Sequence, residues 1–527
     1  MKIDPANLPS QNQRISDLST FVIAKNALFN ILAFLVNLAM TIVLVPVMLQ
    51  YLGNTGFGVW ALVRVFVSYA SLGDLGLTST VTKFVAEYSA TNRTEEIARV
   101  LKSAFVLYVW IILTILAVAF LFRGVIIDTF FATDGDATEE AVFVLYASLV
   151  IFGTNTVFSI LPNALNGIQR MDLTNSVTAL YSVLNGVGMY GALVAGWGLQ
   201  GLVWANAFAS IAGIIMNWIL FSRHFGHLGF LSVPMTLNDI RHLFGLSKHI
   251  FVVSLASNIH QHFDKLLLGS FMNLTTVASY EVGSRMVQQA RLIPILMLNP
   301  LLPASSEFHA HDSTDRIREL YYRSLKYLVV LSVPMLGCLG LYAPEIIKVW
   351  IGDADELIAP TLRILLLSNF VNLLTGPGFF ISIGVGSARL PMYSSLLGLS
   401  LNVVLSVLLL QWFGYFGAVF GSFIALIIAS VFFLFIVHRR LGISWSPVFK
   451  IAYPPLLAML PGFGVALLAA SFVDQAFLQL VLMVGCTVVL FGISLWAFRY
   501  FDEFDKRSIA GIWKRLNEFM LLPPEGI

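Results

Sequence analysis

Residues 58–76, GVWALVRVFVSYASLGDLG, read as a membrane helix carrying two groups that lipid disfavours, Arg64 and Asp74. A charge at the centre of a bilayer costs about 2.5–3.5 kcal/mol on insertion scales, and the neighbouring side chains here are apolar, aromatic or small. Either the segment lies outside a membrane or one side of it borders something wetter than lipid. The rest of the chain decides between these. Its 527 residues are 58% hydrophobic and 11% charged, with a mean hydropathy of +0.83, whereas a soluble domain carries about 25% charged residues. Apolar runs of about 20 residues, the length that crosses a bilayer, recur along nearly all of it. The fold class is an all-α polytopic membrane protein, with no room for a soluble domain of useful size.

Fourteen transmembrane helices are expected, at 21–50, 57–86, 100–122, 141–166, 173–195, 200–221, 247–271, 276–303, 320–343, 358–385, 391–411, 416–437, 449–471 and 476–498. Their connections alternate in charge. One set holds Arg93, Arg99, Arg170, Arg223, Arg241, Arg316, Arg318, Arg323, Arg389, Arg439, Arg440, Lys450 and the run Lys506, Arg507, Lys514 and Arg515. The other holds only Arg123 and Lys348, among acids such as Asp128, Asp134, Asp136, Glu139, Glu345, Asp353 and Asp355. A missed or surplus span would exchange every later loop, so the unbroken alternation supports the count. Positive loops face the cytoplasm, which puts both termini there. The net charge of +2 says little beside this placement.

The opening MKIDPANLPSQNQRISDLST lacks an apolar core and a small-residue cleavage site, and reads as a retained cytoplasmic tail. In FDEFDKRSIAGIWKRLNEFMLL, Ile509, Ile512, Trp513, Leu516 and Phe519 alternate with basic residues, which suits an amphipathic helix on the inner leaflet or a plain topological anchor. Cys338 and Cys486 each lie in an apolar run and are expected as free, packed thiols.

An internal repeat sets the architecture. TEEIARVLKSAF at 94–105 aligns with TDRIRELYYRSL at 314–325, NGIQRMDL at 166–173 with VGSARLPM at 385–392, and GWGLQGLVWA at 196–205 with WFGYFGAVFG at 412–421. Each match is weak; three in order at nearly one period are not. Six spans form a unit that occurs twice, and because six is even both copies enter the membrane in the same direction, related by a pseudo-two-fold along its normal. The expected domains are a cytoplasmic tail at 1–20, an N-lobe at 21–222, a cytoplasmic linker at 223–246, a C-lobe at 247–438, two further helices at 449–498 and an amphipathic tail at 499–527. Two such lobes around a central cavity make a transporter plan that works by alternating access.

Ionisable side chains within spans face a cavity or a partner by default. Arg64 lies about 10 Å inside the outer end of span 2 at ~1.5 Å per residue. Arg285 lies near the middle of span 8, the counterpart of span 2 in the second repeat. Lys265, Arg291 and Arg363 complete a set of cations suited to an anionic ligand, and Lys25 and Lys83 mark its cytoplasmic mouth. The acids at depth are Asp74, Asp264 and Glu281, candidates for ion coupling. Structural roles stand beside these functional ones. Glu281 and Arg285, four apart, are spaced to neutralise each other on one helix face; Lys265 and Arg363 have stems long enough to snorkel outward; Asp74 is placed to cap a helix break; His260 and Asp264 are spaced as a protonatable pair or as satisfied interior groups. Span 10, LTGPGFFISIGVGSARLP, is punctuated by Gly and Pro as a bent helix at a cavity wall or as close packing of small residues.

Other chemistry is excluded by what is missing. No G-x-x-x-x-G-K-[ST], H-E-x-x-H or G-x-S-x-G occurs. HQH at 260–262 and HAH at 309–311 lack a third ligand at helical spacing. The chain is expected to be no enzyme, to hold no cofactor or metal, and to bind no nucleic acid.

Residues 44–87, LVPVMLQYLGNTGFGVWALVRVFVSYASLGDLGLTSTVTKFVAE, resemble the polysaccharide flippases, the Wzx or O-antigen transporter type of the multidrug/oligosaccharidyl-lipid/polysaccharide (MOP) exporter superfamily. Pro46, the Leu52-Gly53 turn, FGVWAL, DLGL at 74–77 and NGIQR at 166–170 carry the likeness, and the frame of twelve spans plus two extends it over essentially the whole chain. The resemblance implies flipping of an undecaprenyl-diphosphate-linked oligosaccharide from the cytoplasmic to the outer leaflet of the bacterial inner membrane, driven by an ion gradient or membrane potential, with a polysaccharide polymerase of the same pathway as protein partner. Arg suits bidentate phosphate contact, and Arg64 with Arg285 is the pair inferred from position. A lipid II flippase needs a similarly cationic cavity. A MATE-type antiporter for organic cations would be expected to carry an acid in its first helix, and none occurs from Phe21 to Leu49. A polymerase or ligase would need a large outer loop, which the span pattern does not provide.

Overall fold

The computed structural model describes residues 11–507 except 92, 132–135, 227–228, 231, 235, 237–254, 256–257, 260, 312, 353–354, 388, 471 and 474. Among the described residues the chain is helical and has no strand, as it must where backbone N–H and C=O groups find no water. The helices are α1 (Gln11–Ala70), α2 (Leu77–Ala90), α3 (Thr94–Leu121), α4 (Arg123–Phe130), α5 (Asp136–Phe158), α6 (Ile160–Gly167), α7 (Met171–Val194), α8 (Gly198–Phe225), α9 (261–271), α10 (Leu274–Leu296), α11 (Leu301–Ala310), α12 (Thr314–Leu341), α13 (Ala343–Ile351), α14 (Ile358–Leu373), α15 (Gly376–Gly384), α16 (Arg389–Phe413), α17 (Tyr415–Leu441), α18 (Trp445–Ala470) and α19 (Ala476–Ala497).

Among the described residues, 11 helical runs are long and apolar enough to cross a membrane. Ten of them match spans 3–6 and 9–14 of the sequence reading to within a few residues. The other, Leu32–Ser89, has 58 residues, about 87 Å at ~1.5 Å per residue, against a hydrocarbon core of about 30 Å. It is broken at Gly53 (φ 67, ψ 178) and again by a 3-10 turn at Ser71–Asp74 that leads into Leu75 (φ 49) and Gly76 (φ 77). Span 2 and the part of span 1 from residue 32 onward fall within it. α10 carries Glu281, Arg285 and Arg291, which removes it from the apolar set. The first ten residues, the linker from 237, the start of span 7 with His260, Asp134, Asp353 and the tail helix beyond 507 lie outside the described residues. Large side chains such as Trp412 (81% exposed) and Leu121 (78%) cover the surface, an apolar exterior suited to lipid.

The chain divides into two compact units. Unit 1 comprises 1–282 with 399–422. Its core gathers Leu77, Phe84, Leu101, Tyr108, Leu161 and Phe221, and its helices approach closely at small residues: a Cβ on Gly58 would lie 2.0 Å from the Leu274 carbonyl oxygen. Unit 2 comprises 283–398 with 423–527. Its core gathers Tyr321, Leu328, Tyr342, Ile381, Met459 and Phe491. There α18 packs along α19 at Gly462, where a Cβ would come within 2.8 Å of the Thr487 Cα.

The order of elements repeats. α3 and α12 each span 28 residues from Thr94 and Thr314; short helices follow at Arg123 and Ala343; then come a broken pair (α5–α6, α14–α15) and two long helices (α7–α8, α16–α17).

After α19 the chain turns back onto unit 2. Pro454, Pro455 and Pro461 interrupt the hydrogen-bond ladder of α18. The Ile451 carbonyl, which loses its donor at Pro455, accepts instead from the Tyr500 hydroxyl at 2.8 Å. Asp505 is buried against α12, accepting from Lys326, from the Tyr327 hydroxyl at 2.6 Å and from the Asp502 amide at 3.0 Å. Burial pushes the Asp505 carboxyl up, but these donors and the Lys326 charge more than reverse the effect, so it titrates below the ordinary carboxylate range.

Two outcomes follow from these contacts. Gly58→Ala gains up to about 1 kcal/mol of helix propensity but forces backbone against backbone, at about 1–3 kcal/mol, so thermal unfolding in detergent should occur at lower temperature. Because the Asp505 pKa is depressed, its contribution is complete above the unfolded-state carboxylate pKa and disappears as pH falls through the folded value. Acidification below about pH 4 should therefore release the 502–505 segment, read by proteolysis near Arg507, and Asp505→Asn should release it at neutral pH.

Candidate functional site

In unit 2, the polar run SNFVN at 368–372 interrupts an otherwise apolar α14 and puts Asn369 and Asn372, three apart, on one helix face. Their side-chain oxygens accept from the two terminal nitrogens of Arg291 on α10, each at 2.7 Å. The amides are themselves oriented, since Asn369 Nδ2 donates to the Leu365 carbonyl at 2.7 Å and Asn372 Nδ2 to Ser430 Oγ at 3.0 Å. Two hydrogen bonds to a charged group contribute about 1.5–3 kcal/mol each, enough to offset the insertion cost of an arginine. They do not cancel its charge. Among the described residues no carboxylate forms an ion pair with Arg291, and its buried Nε has no acceptor. The side chain lines a cavity of about 270 Å³ shared with Asn372, Thr375, Phe379, Ser394 and Ser395. Among the described residues this is a cation without a counter-charge, beside a hollow lined by polar and by apolar side chains, Leu298, Phe380 and Phe433 among them.

In unit 1, α9 and the start of α10 meet through two consecutive residue pairs. Asp264, buried, accepts from the Tyr280 hydroxyl at 2.5 Å, Ser406 Oγ at 3.2 Å, Asn402 Nδ2 at 3.4 Å and Ser422 Oγ. Next to it, Lys265 pairs with Glu281, each about 5% exposed at the side chain. Lys265 therefore does not snorkel. Among the described residues the buried Asn402 Oδ1 has no donor, leaving an oxygen lone pair close to the Asp264 carboxylate. His262 faces the edge of Tyr69 with ring centroids 6.4 Å apart. Arg64, exposed on α1, is within electrostatic reach of His262, as are Lys265 and Glu281.

The other expected residues lie elsewhere. Asp74 accepts from Tyr108 at 2.5 Å and from the Thr78 hydroxyl and amide at 2.7 and 3.2 Å, holding the first turn of α2 where the 3-10 break precedes it. Arg363 is exposed and donates to the Gly340 and Leu341 carbonyls that end α12. Arg285 is half-buried on α10. Lys83 is exposed on α2, 5.7 Å from the Phe84 ring centroid. Lys25 lies on α1, its side chain outside the described residues. Sequence reasoning missed Asn369 and Asn372 around Arg291, and Tyr280, Asn402, Ser406 and Ser422 around Asp264. The available signal was uncharged polarity inside apolar helices, as in SNFVN and SLNVVLS (400–406).

A buried ion pair costs about 3–5 kcal/mol when one partner is removed, whereas apolar replacement of both is often neutral. Lys265→Met should lower thermal stability by that order, and Lys265→Met with Glu281→Leu should recover most of it. A double variant as unstable as the single would show that Lys265 acts through some other contact.

The family described as Polysaccharide biosynthesis protein matches residues 23–309, and the MatE family matches residues 250–408. The chain is 22% identical to the probable flippase AglR of Haloferax volcanii, over 72% of this chain and 76% of that one. It is 23% identical to the putative O-antigen transporter of Shigella flexneri, over 74% of this chain and 97% of that one. The lipid II flippase MurJ, in an inward closed conformation, aligns with a TM-score of 0.69 at 15% identity, over 91% of this chain and 98% of the other, a likeness of fold. With the first match covering more than half of its residues, and with the resemblance carried by residues 44–87 inside that match, the chain belongs to the polysaccharide biosynthesis protein family.

Proposed function

We propose that the protein flips an undecaprenyl-diphosphate-linked oligosaccharide from the cytoplasmic to the outer leaflet by alternating access. Fourteen crossings in two six-helix lobes and a C-terminal pair provide the frame. The 58-residue Leu32–Ser89 run, long enough for two passes, and the repeated order of elements support this frame. The observation that carries the reading is Arg291, held by two amides beside a hollow and, among the described residues, without an acid to neutralise it. A diphosphate leaving water needs such a partner, and a transporter of organic cations does not. Arg64, Arg285 and Arg363 are proposed as further phosphate or glycan contacts, and Lys25 and Lys83 as the cytoplasmic mouth. The names of the two relatives, a probable flippase and a putative O-antigen transporter, agree with this chemistry.

Coupling is assigned to Asp264. Its carboxylate, the hydroxyl oxygens of Ser406 and Ser422 and Asn402 Oδ1, which has no donor among the described residues, form an oxygen cluster that suits a proton or a small alkali cation. Glu281, committed to Lys265, adjusts the local charge, and Asp74 keeps its capping role.

Deletion in the native host should accumulate a lipid-linked glycan on the cytoplasmic face, whose identity names the substrate. Arg291→Ala, Arg64→Ala and Arg285→Ala should each reduce its translocation at least tenfold with the protein still inserted; wild-type transport by all three would remove the site. Asp264→Asn should abolish the dependence of transport on an ion gradient. Rescue of a strain depleted of its lipid II flippase would favour lipid II as the cargo.

A further inference from the structure

We propose that unit 2 carries a second anion site, a cleft at the junction of α12, α18 and the segment after α19, which binds the phosphate of an anionic inner-leaflet phospholipid. The cleft encloses about 750 Å³. Most of its charge is internally balanced. Arg318 pairs with Asp315 at 3.1 Å, Arg323 with Glu319 at 2.8 Å, and Lys326 with Asp502 and Asp505. Lys450 and Arg499 also line it, both exposed and, among the described residues, without an acidic partner. Because Lys326 faces two acids, the cleft's net excess is a single positive charge, and the cations open to an anion are these two side chains.

Arg499 is held there against its backbone preference. Its φ is 51, the left-handed region that a side chain with a Cβ enters only at a cost. The chain ends α19 in a Schellman turn, with the Arg499 amide bonded to the Trp496 carbonyl at 3.0 Å and the Tyr500 amide to the Leu495 carbonyl at 3.1 Å. The same turn closes α7 and α15 with Gly196 (φ 77) and Gly386 (φ 73) in that position, as the geometry prefers. An arginine where glycine fits better puts a guanidinium at the rim of the cleft.

The surroundings identify the occupant. Trp496 and Phe498 at the end of α19, and Phe449 and Tyr453 in the first turns of α18, are exposed, an aromatic girdle of the kind that marks the headgroup level of a bilayer. Cations beside such a girdle suit a lipid phosphate with its acyl chains alongside. A freely soluble phosphate has no use for the apolar rim. The inner leaflet follows from the cytoplasmic C-terminus expected from the loop charges, an orientation that the proposed function shares and on which this inference rests.

The test uses the full-length protein in detergent, titrated with phosphatidylglycerol and followed by native mass spectrometry, with phosphatidylcholine and glycerol phosphate as comparison ligands. Phosphatidylglycerol should bind preferentially and less well at high salt. Lys450→Gln and Arg499→Gly should each weaken it about fivefold, and together about 25-fold. Arg499→Gly relieves the turn, so its melting temperature should hold or rise, which separates lost binding from lost folding. Unchanged phosphatidylglycerol binding in the double variant, equal binding of phosphatidylcholine, or full competition by glycerol phosphate would each overturn the proposal. Labelling of Lys450→Cys by an impermeant reagent from the outer face of intact cells would overturn the leaflet assignment. Transport by the Arg291→Ala protein is a separate measurement, so failure of the flippase reading is distinguishable from failure of this one.

Discussion

Charge inside a bilayer has to be answered within hydrogen-bonding distance, and the chain does so in two ways. One is neutralisation: Lys265 meets Glu281. The other is solvation without a counter-charge: Asp264 is surrounded by hydroxyl and amide donors, and Arg291 has two amide oxygens and, among the described residues, no acid. The first solution is closed and the second is open, because a solvated but unbalanced cation retains a long-range field in a low-dielectric setting. Under the proposed function, that field is what would draw an anion to the hollow beside Arg291.

The scaffold that holds these groups depends on backbone proximity. Without water to drive helices together, association in lipid relies on close packing and shared polar contacts. Gly58 against Leu274 and Gly462 against Thr487 let main chains approach to distances a methyl group would forbid. The polar networks are then fixed by short, buried partners, so the functional groups sit on rigid helices.

Much of the frame was legible because crossing a membrane imposes a length and a composition. Ten spans were delimited closely by counting apolar residues. What could not be read was rotation. Whether Arg291 faces Asn369, or Lys265 faces Glu281, depends on how helices distant in sequence turn about their axes, and the weak amphipathicity of apolar helices leaves that unmarked. Local spacing did not mark every partner. The four-residue spacing of Glu281 and Arg285 could be read along one helix, but not that Lys265 reaches Glu281 from α9. Asp74 shows the converse: its position before a Gly-containing break pointed to capping, and the structure gives it the amide and hydroxyl of Thr78.

The Tyr500 hydroxyl on the Ile451 carbonyl has a mechanical meaning. Pro455 deletes a rung from α18, which on its own would make that helix a weak column, prone to buckle where the proline pair sits. The phenol supplies the missing rung from outside, bracing one column with the foot of its neighbour. The last two helices are thereby cross-tied at the end where the chain leaves the membrane, and they respond to load as a single beam.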